Sequence, residues 1–254
     1  IPDRLLEGYG PSGAALVRLG EEGSSLIVTV DCGAQAFDAL LQAKQAGVDV
    51  VVVDHHKCAA ALPEAFALVN PNRLDEADEA AAHGHLAAVG VAFLLGAALV
   101  RTLRARGWFA ARSEPPLMEL LDIVALGTVA DVAQLKGLNR AFVAQGLKVM
   151  AKRRNIGLAA LMDASRLSRA PLCHDLGFAL GPRINAGGHD VLRHGRGEAH
   201  GEARRQLGAP VVECVDEQDE TLGGVGAQRL LVGQQEVTGI AVLHGDDVAD
   251  SAQL

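Results

Sequence analysis

The sequence predicts an α/β fold, a parallel sheet flanked by helices, with a helical connection to a partial or divergent second region. Two observations carry the prediction. "SLIVTVDCG" (25–33) and "VDVVVVDHH" (48–56) are apolar, β-branched runs, and "AQAFDALLQAKQAG" (34–47) between them has apolar residues at helical spacing. Strand, helix and strand within about 30 residues form a βαβ unit, and continuous apolar strands suit a parallel sheet covered on both faces.

Each element then follows in order. The first strand stops at Asp31 and Gly33, the helix at Gly47, and the second strand at Asp54, His55 and His56. "FALVNPN" (66–72) reads as a short third strand entering a proline turn. An acidic stretch, 74–79, precedes the apolar helix predicted from about 86 to 106. Its longest apolar run, 86–100, is shorter than the roughly 20 residues of a membrane span and reads as a buried helix. "PPLMELLDIVALGTVADV" (115–132) opens on prolines, as helices do, and ends near Asp131. Helices are predicted over 139–153 and 156–165. From about residue 189 the periodicity decays, and 237–247 reads as one more strand.

The chain has 254 residues, 49% hydrophobic and 21% charged, which is enough apolar content for a real core. Aromatics make up only 3%, so Val, Leu and Ala must fill that core. A formal charge of −8 provides no global basic field for nucleic acid, so any phosphate must be held by a local groove or a metal. The four cysteines, Cys32, Cys58, Cys173 and Cys214, form no CxxC pair; they fit a reducing cytoplasm rather than a disulfide framework or a zinc site. No Walker loop or GxGxxG follows the first strand.

Ligands of parallel sheets gather beyond the carboxyl ends of the strands, and Asp31 and the Asp54–His56 cluster both sit there. An acid and two imidazoles at one strand end could simply face water. Asp31 at the neighbouring strand end, and Asp131 after an apolar helix, shift the balance towards Mn²⁺, Mg²⁺ or Zn²⁺. Two such ions can activate water and stabilise the leaving oxygen of a phosphoester.

The segments "IPDRLLEGYGPS" (1–12), "LIVTVDCG" (26–33), "VVVDHHK" (51–57), "ALVNPNR" (67–73), "VGVAFLL" (89–95), "DIVALGTVADVAQLKGLNRAFVAQGL" (122–147) and "LGPRINAGG" (180–188) occur in that order. In this the sequence resembles the DHH phosphoesterase family, and within it the RecJ-type exonucleases, which degrade single-stranded DNA from 5′ to 3′. The resemblance implies a two-metal site using Mn²⁺ or Mg²⁺. It implies Asp31 as a bridging ligand, His55 and Asp131 as ligands, and His56 on the second metal or the scissile phosphate. It implies His56 and Asp54 as the catalytic pair, with Asp54 either ligating or orienting an imidazole. Arg183 and Asn185 would meet the DNA backbone or its 5′ end. Implied partners are single-stranded DNA, a single-strand-binding protein and a helicase, in the cytoplasm and away from membranes.

The expected domains are a DHH domain at 1–165, a linker at 166–188 and a divergent or incomplete second domain at 189–254. The family's aspartate-rich first motif is expected upstream of Ile1, so the chain reads as N-terminally truncated and inactive alone. Alternatives are a phosphoesterase acting on short oligonucleotides, cyclic dinucleotides or pyrophosphate, and an inactive binding module. His85 and His174 read as surface histidines.

Overall fold

The structure, a computed structural model, describes residues 10–185 and the strand Gly239–His244. It divides into two compact units. One contains the described residues up to Arg101 together with Gly239–His244, and the other runs from Thr102 onward. The domain limits expected from the sequence remain a proposal beside this division. Most of 189–254 lies outside the described residues.

The first unit is the α/β part. Helix α1 (Gly13–Glu21) starts at Ser12, whose hydroxyl accepts the Ala15 N–H at 3.2 Å. Strand β1 (Ser24–Val30) follows, then helix α2 (Phe37–Gln45), strand β2 (Asp49–Val53) and strand β3 (Ala67–Val69). Gly47, at φ +74°, supplies the left-handed turn that ends α2. β1 and β2 pair in parallel from Leu26–Asp49 to Val30–Val53, and β2 and β3 pair in parallel from Val51–Ala67 to Val53–Val69. This is the parallel sheet expected from the sequence.

Strand β4 (Gly239–His244) falls in the stretch read from the sequence as one more strand, and it pairs antiparallel with β1, giving the order β3-β2-β1-β4. An antiparallel edge strand on a parallel sheet is a common arrangement.

Strand alternation sends Ile27, Val50, Val52 and Leu68 to one face, where they meet Leu16 of α1 and Leu40 and Ala43 of α2. On the other face Val53 is buried and Val28, Val30 and Val51 are half-buried. Cys32, Cys58 and Cys173 are free thiols, consistent with the sequence reading, and Cys214 lies outside the described residues.

A short turn, α3 (Asp78–Ala81), leads to α4 (Ala88–Ala105). This helix was expected to be buried. Only Ala88, Gly90, Val91 and Val100 are buried, and Leu99 is 56% exposed. Its 18 residues meet the length and composition of a membrane span, a test that core helices of soluble proteins also pass.

The second unit is helical. A 3₁₀ turn over Leu117–Leu120 precedes α5 (Leu121–Ala130); then come α6 (Gly137–Met150), α7 (Ile156–Ala164) and the single turn α8 (Cys173–Asp175). Ala125 and Leu126 of α5 pack with Val143 and Met150 of α6 and with Leu158, Leu161 and Met162 of α7. A Cβ at Gly146 would lie 2.1 Å from the Leu121 carbonyl oxygen, so glycine lets α5 and α6 approach this closely.

Candidate metal centre

Parallel pairing of β1 and β2 brings their carboxyl ends together, and the chain leaves β1 through an unusual turn. Asp31 has φ +65° and Gly33 φ +113°. Aspartate is among the few non-glycine residues that tolerate the left-handed region. The Asp31 N–H remains in the ladder, donating to the Val53 carbonyl at 2.9 Å, so its side chain is fixed at the sheet end beside the residues following β2.

Asp54, the first of those residues, is 1% exposed and accepts four hydrogen bonds. Its Oδ2 takes the Ala34 N–H at 2.8 Å. Its Oδ1 takes the His55 N–H at 2.7 Å, the His56 N–H at 3.2 Å and His56 Nδ1 at 2.6 Å. Burial pushes this carboxyl up, but the His56 hydrogen bond, the Ala34 N–H and the His56 charge outweigh it and hold it down at about 2.

Both imidazoles are therefore held through Nδ1. His56 Nδ1 meets the Asp54 carboxylate, and His55 Nδ1 lies 3.0 Å from the Leu86 carbonyl. Because a carbonyl can only accept, the neutral His55 ring carries its proton on Nδ1 and its lone pair on Nε2. His55 Nε2 lies 3.2 Å from Asp31 Oδ1. Asp31 Oδ1 is buried and, among the described residues, accepts no hydrogen bond. A buried carboxylate oxygen without a donor is costly, and a cation would relieve that cost. Asp31, His55 and His56 offer ligand atoms within 4.8 Å of one another. One carboxylate oxygen and two imidazole nitrogens suit Mn²⁺ and accommodate Mg²⁺, so the residues fit the ion that the resemblance implies.

Asp131 closes α5, where its N–H donates to the Gly127 carbonyl at 2.9 Å. It lies in the second unit and the three-residue cluster in the first. Val132 after it has φ +56°, a strained value for a β-branched residue. Arg183 and Asn185 lie in a helical stretch, 181–185, that continues the π-helical turn Leu176–Leu180. Arg183 Nη1 donates to the Ala179 carbonyl at 2.8 Å.

His174 is exposed and stacks on Phe178 with centroids 4.5 Å apart, as a surface histidine can. His85 corrects the sequence reading: it is half-buried, and both its ring nitrogens are shielded from solvent.

The residues missed from the sequence are Asn70 and Asn72. Asn70 is 2% exposed; its amide donates to the His56 carbonyl at 2.8 Å and, at 3.4 Å, to Cys58 Sγ. The Asn72 amide donates to the His55 carbonyl at 2.6 Å and to the Gly84 carbonyl at 3.0 Å. The signal was Asn-Pro-Asn directly after a short strand, since asparagines at turns bind nearby backbone.

Residues 1–128 match the model of the DHH family, N-terminal domain. The chain belongs to the DHH family. It is 47% identical over 192 residues to the single-stranded-DNA-specific exonuclease RecJ of Dickeya dadantii, covering 74% of this chain and 33% of that protein. The RecJ of Salmonella typhimurium is 44% identical with the same coverage. The chain thus spans about a third of the length of these curated relatives. A crystal structure of exonuclease RecJ bound to manganese superposes with a TM-score of 0.60 at 34% identity, covering 76% of this chain and 47% of that one.

Proposed function

We propose that this DHH chain carries part of the metal centre of a hydrolase that cleaves single-stranded DNA from its 5′ end, serving repair and recombination. The observation carrying the reading is the buried Asp31 carboxylate facing two imidazoles whose Nδ1 atoms are already engaged. The similarity to RecJ exonucleases supplies the substrate class.

Asp31, His55 and His56 would hold Mn²⁺ or Mg²⁺. Such an ion, when bound, supplies water activation and charge stabilisation on a phosphoryl oxygen. The protein's own contribution is fixed geometry. Asp54 anchors His56 and accepts the N–H groups of the strand-end loop, so the imidazole needs no reorientation to meet a ligand. Asp131 as a further ligand, and Arg183 and Asn185 as contacts to DNA phosphates, rest on the motif resemblance alone. So do the cytoplasmic location and the partnership with a single-strand-binding protein and a helicase.

The test is nuclease activity on 5′-phosphorylated single-stranded DNA with Mn²⁺, for this chain and for a version extended upstream. Release of mononucleotides by the extended version, lost in Asp31→Ala, is the expected result. Cleavage only of short oligonucleotides, cyclic dinucleotides or pyrophosphate by both versions would replace the exonuclease reading with the small-substrate one. The three donors suffice for one ion, which favours, as a second reading, a chain that binds metal without cutting. Mn²⁺ binding with no cleavage by either version would establish that reading.

A further inference from the structure

The loop that carries His55 and His56 is held from behind by Asn70 and Asn72. Asn70 grips the His56 carbonyl, and Asn70 Oδ1 accepts the Asn72 N–H at 2.8 Å, so the two asparagines are themselves linked. The Asn72 amide then spans two segments through the carbonyls of His55 and Gly84. Gly84 is two residues before Leu86, whose carbonyl receives His55 Nδ1. One amide thus ties together both sides of the hydrogen bond that selects the His55 tautomer. The fit leaves no slack: a Cβ at Gly84 would lie 2.4 Å from Asn72 Oδ1.

We propose that Asn72 is a positioning residue for His55, fixing the ring's lone pair on Nε2 by holding the 84–86 segment against the strand-end loop. This rests on the metal-centre reading above. Asn72 touches no reacting atom; it acts through the Leu86 carbonyl. Its loss frees the 84–86 segment, lengthens the Leu86 contact and lets the neutral ring exchange its proton between the two nitrogens. A mixed tautomer presents the wrong nitrogen part of the time and binds metal more weakly. Groups that orient a ligating histidine typically contribute 10- to 100-fold to metal affinity. For a residue one step further out, the low end of that range, about tenfold, is expected.

The experiment uses the whole 254-residue chain and two readouts. The first is the imidazole ¹⁵N spectrum in EDTA, which reports the tautomer without metal. The second is Mn²⁺ affinity by calorimetry. Asn72→Asp keeps the shape and removes both donors. It should give His55 a mixed tautomer and weaken Mn²⁺ about tenfold, whereas the parent shows the Nδ1–H form. Gly84→Ala displaces the same amide from the opposite side and should give the same pair of changes if Asn72→Asp fails to fold. Asn155→Ala, which removes a helix cap in the other unit, should lower stability while leaving both readouts unchanged. An unchanged tautomer and unchanged affinity in Asn72→Asp or Gly84→Ala would overturn the proposal while leaving the metal centre intact. If the parent and Asp31→Ala bind Mn²⁺ equally, the metal-centre reading fails, and the spectrum in EDTA still decides whether Asn72 sets the tautomer.

Discussion

Replacing Asp54 by asparagine tests the centre at its most connected atom pair. The carboxylate accepts one N–H on Oδ2 and three donors on Oδ1. An amide can satisfy only one side. Its lowest-cost orientation keeps oxygen toward the three donors and turns NH₂ against the Ala34 N–H, leaving a buried donor unpaired. That alone costs about 1–3 kcal/mol. The titration of the carboxyl gives an independent figure. A fall from 3.8 to about 2 is nearly two units, or about 2–3 kcal/mol at roughly 1.4 kcal/mol per unit. A carboxyl depressed in the folded state stabilises it above the unfolded pKa. That contribution is complete above about pH 5 and fades as pH falls through 4 towards 2. Urea unfolding in EDTA should therefore show Asp54→Asn less stable than the parent by about 2 kcal/mol at pH 7, with the gap narrowing below pH 4. Equal midpoints at pH 7, or a gap undiminished at pH 2, would refute the account of Asp54 as an ionised hub.

Other perturbations separate site from scaffold. Asp31→Asn keeps a residue suited to φ +65° and should fold like the parent while losing most Mn²⁺ affinity, read by calorimetry. Asp31→Val at the same φ should instead lower the melting temperature clearly, because a β-branched side chain is strained there. Gly146→Ala forces a methyl into the Leu121 carbonyl and should cost about 3 kcal/mol or more in denaturant unfolding of the helical unit. Asn155→Ala removes the cap that accepts the Leu158 N–H at 3.2 Å and should cost about 1 kcal/mol by the same assay.

The sheet was legible because its signals are local. Runs such as Val50 to Val53 are both β-branched and continuous, and Gly47 marks the stop before them. Convergence of Asp31 on His55 followed from strand parallelism, since neighbouring parallel strands end at the same edge. Three things were not legible. The proton positions on the imidazoles depend on Leu86, 31 residues from His55, and no periodicity reports a backbone carbonyl's aim. The half-exposed state of α4 was hidden because an apolar run gives helix length but not which neighbours cover it. The antiparallel addition of β4 is a pairing more than 200 residues apart in sequence, which composition cannot encode.

The chemistry of the centre follows from how its hydrogen bonds are divided. Asp54 and Asp31 are both buried acids at strand ends, yet they differ in kind. Asp54 has both oxygens occupied, Oδ1 by donors from the loop it begins and Oδ2 by the Ala34 N–H beyond β1, which is the arrangement of a structural anion. Asp31 leaves its strand through a left-handed turn, which keeps its N–H in the ladder while Oδ1 faces His55 Nε2 with no hydrogen-bond donor among the described residues. On the proposed metal reading, the first acid orients the loop and the second meets the cation. Exchanging their environments would abolish the site without changing its composition. For this reason the motif Asp-His-His is weak as a string and becomes informative when the second acid and the Leu86 carbonyl are placed around it.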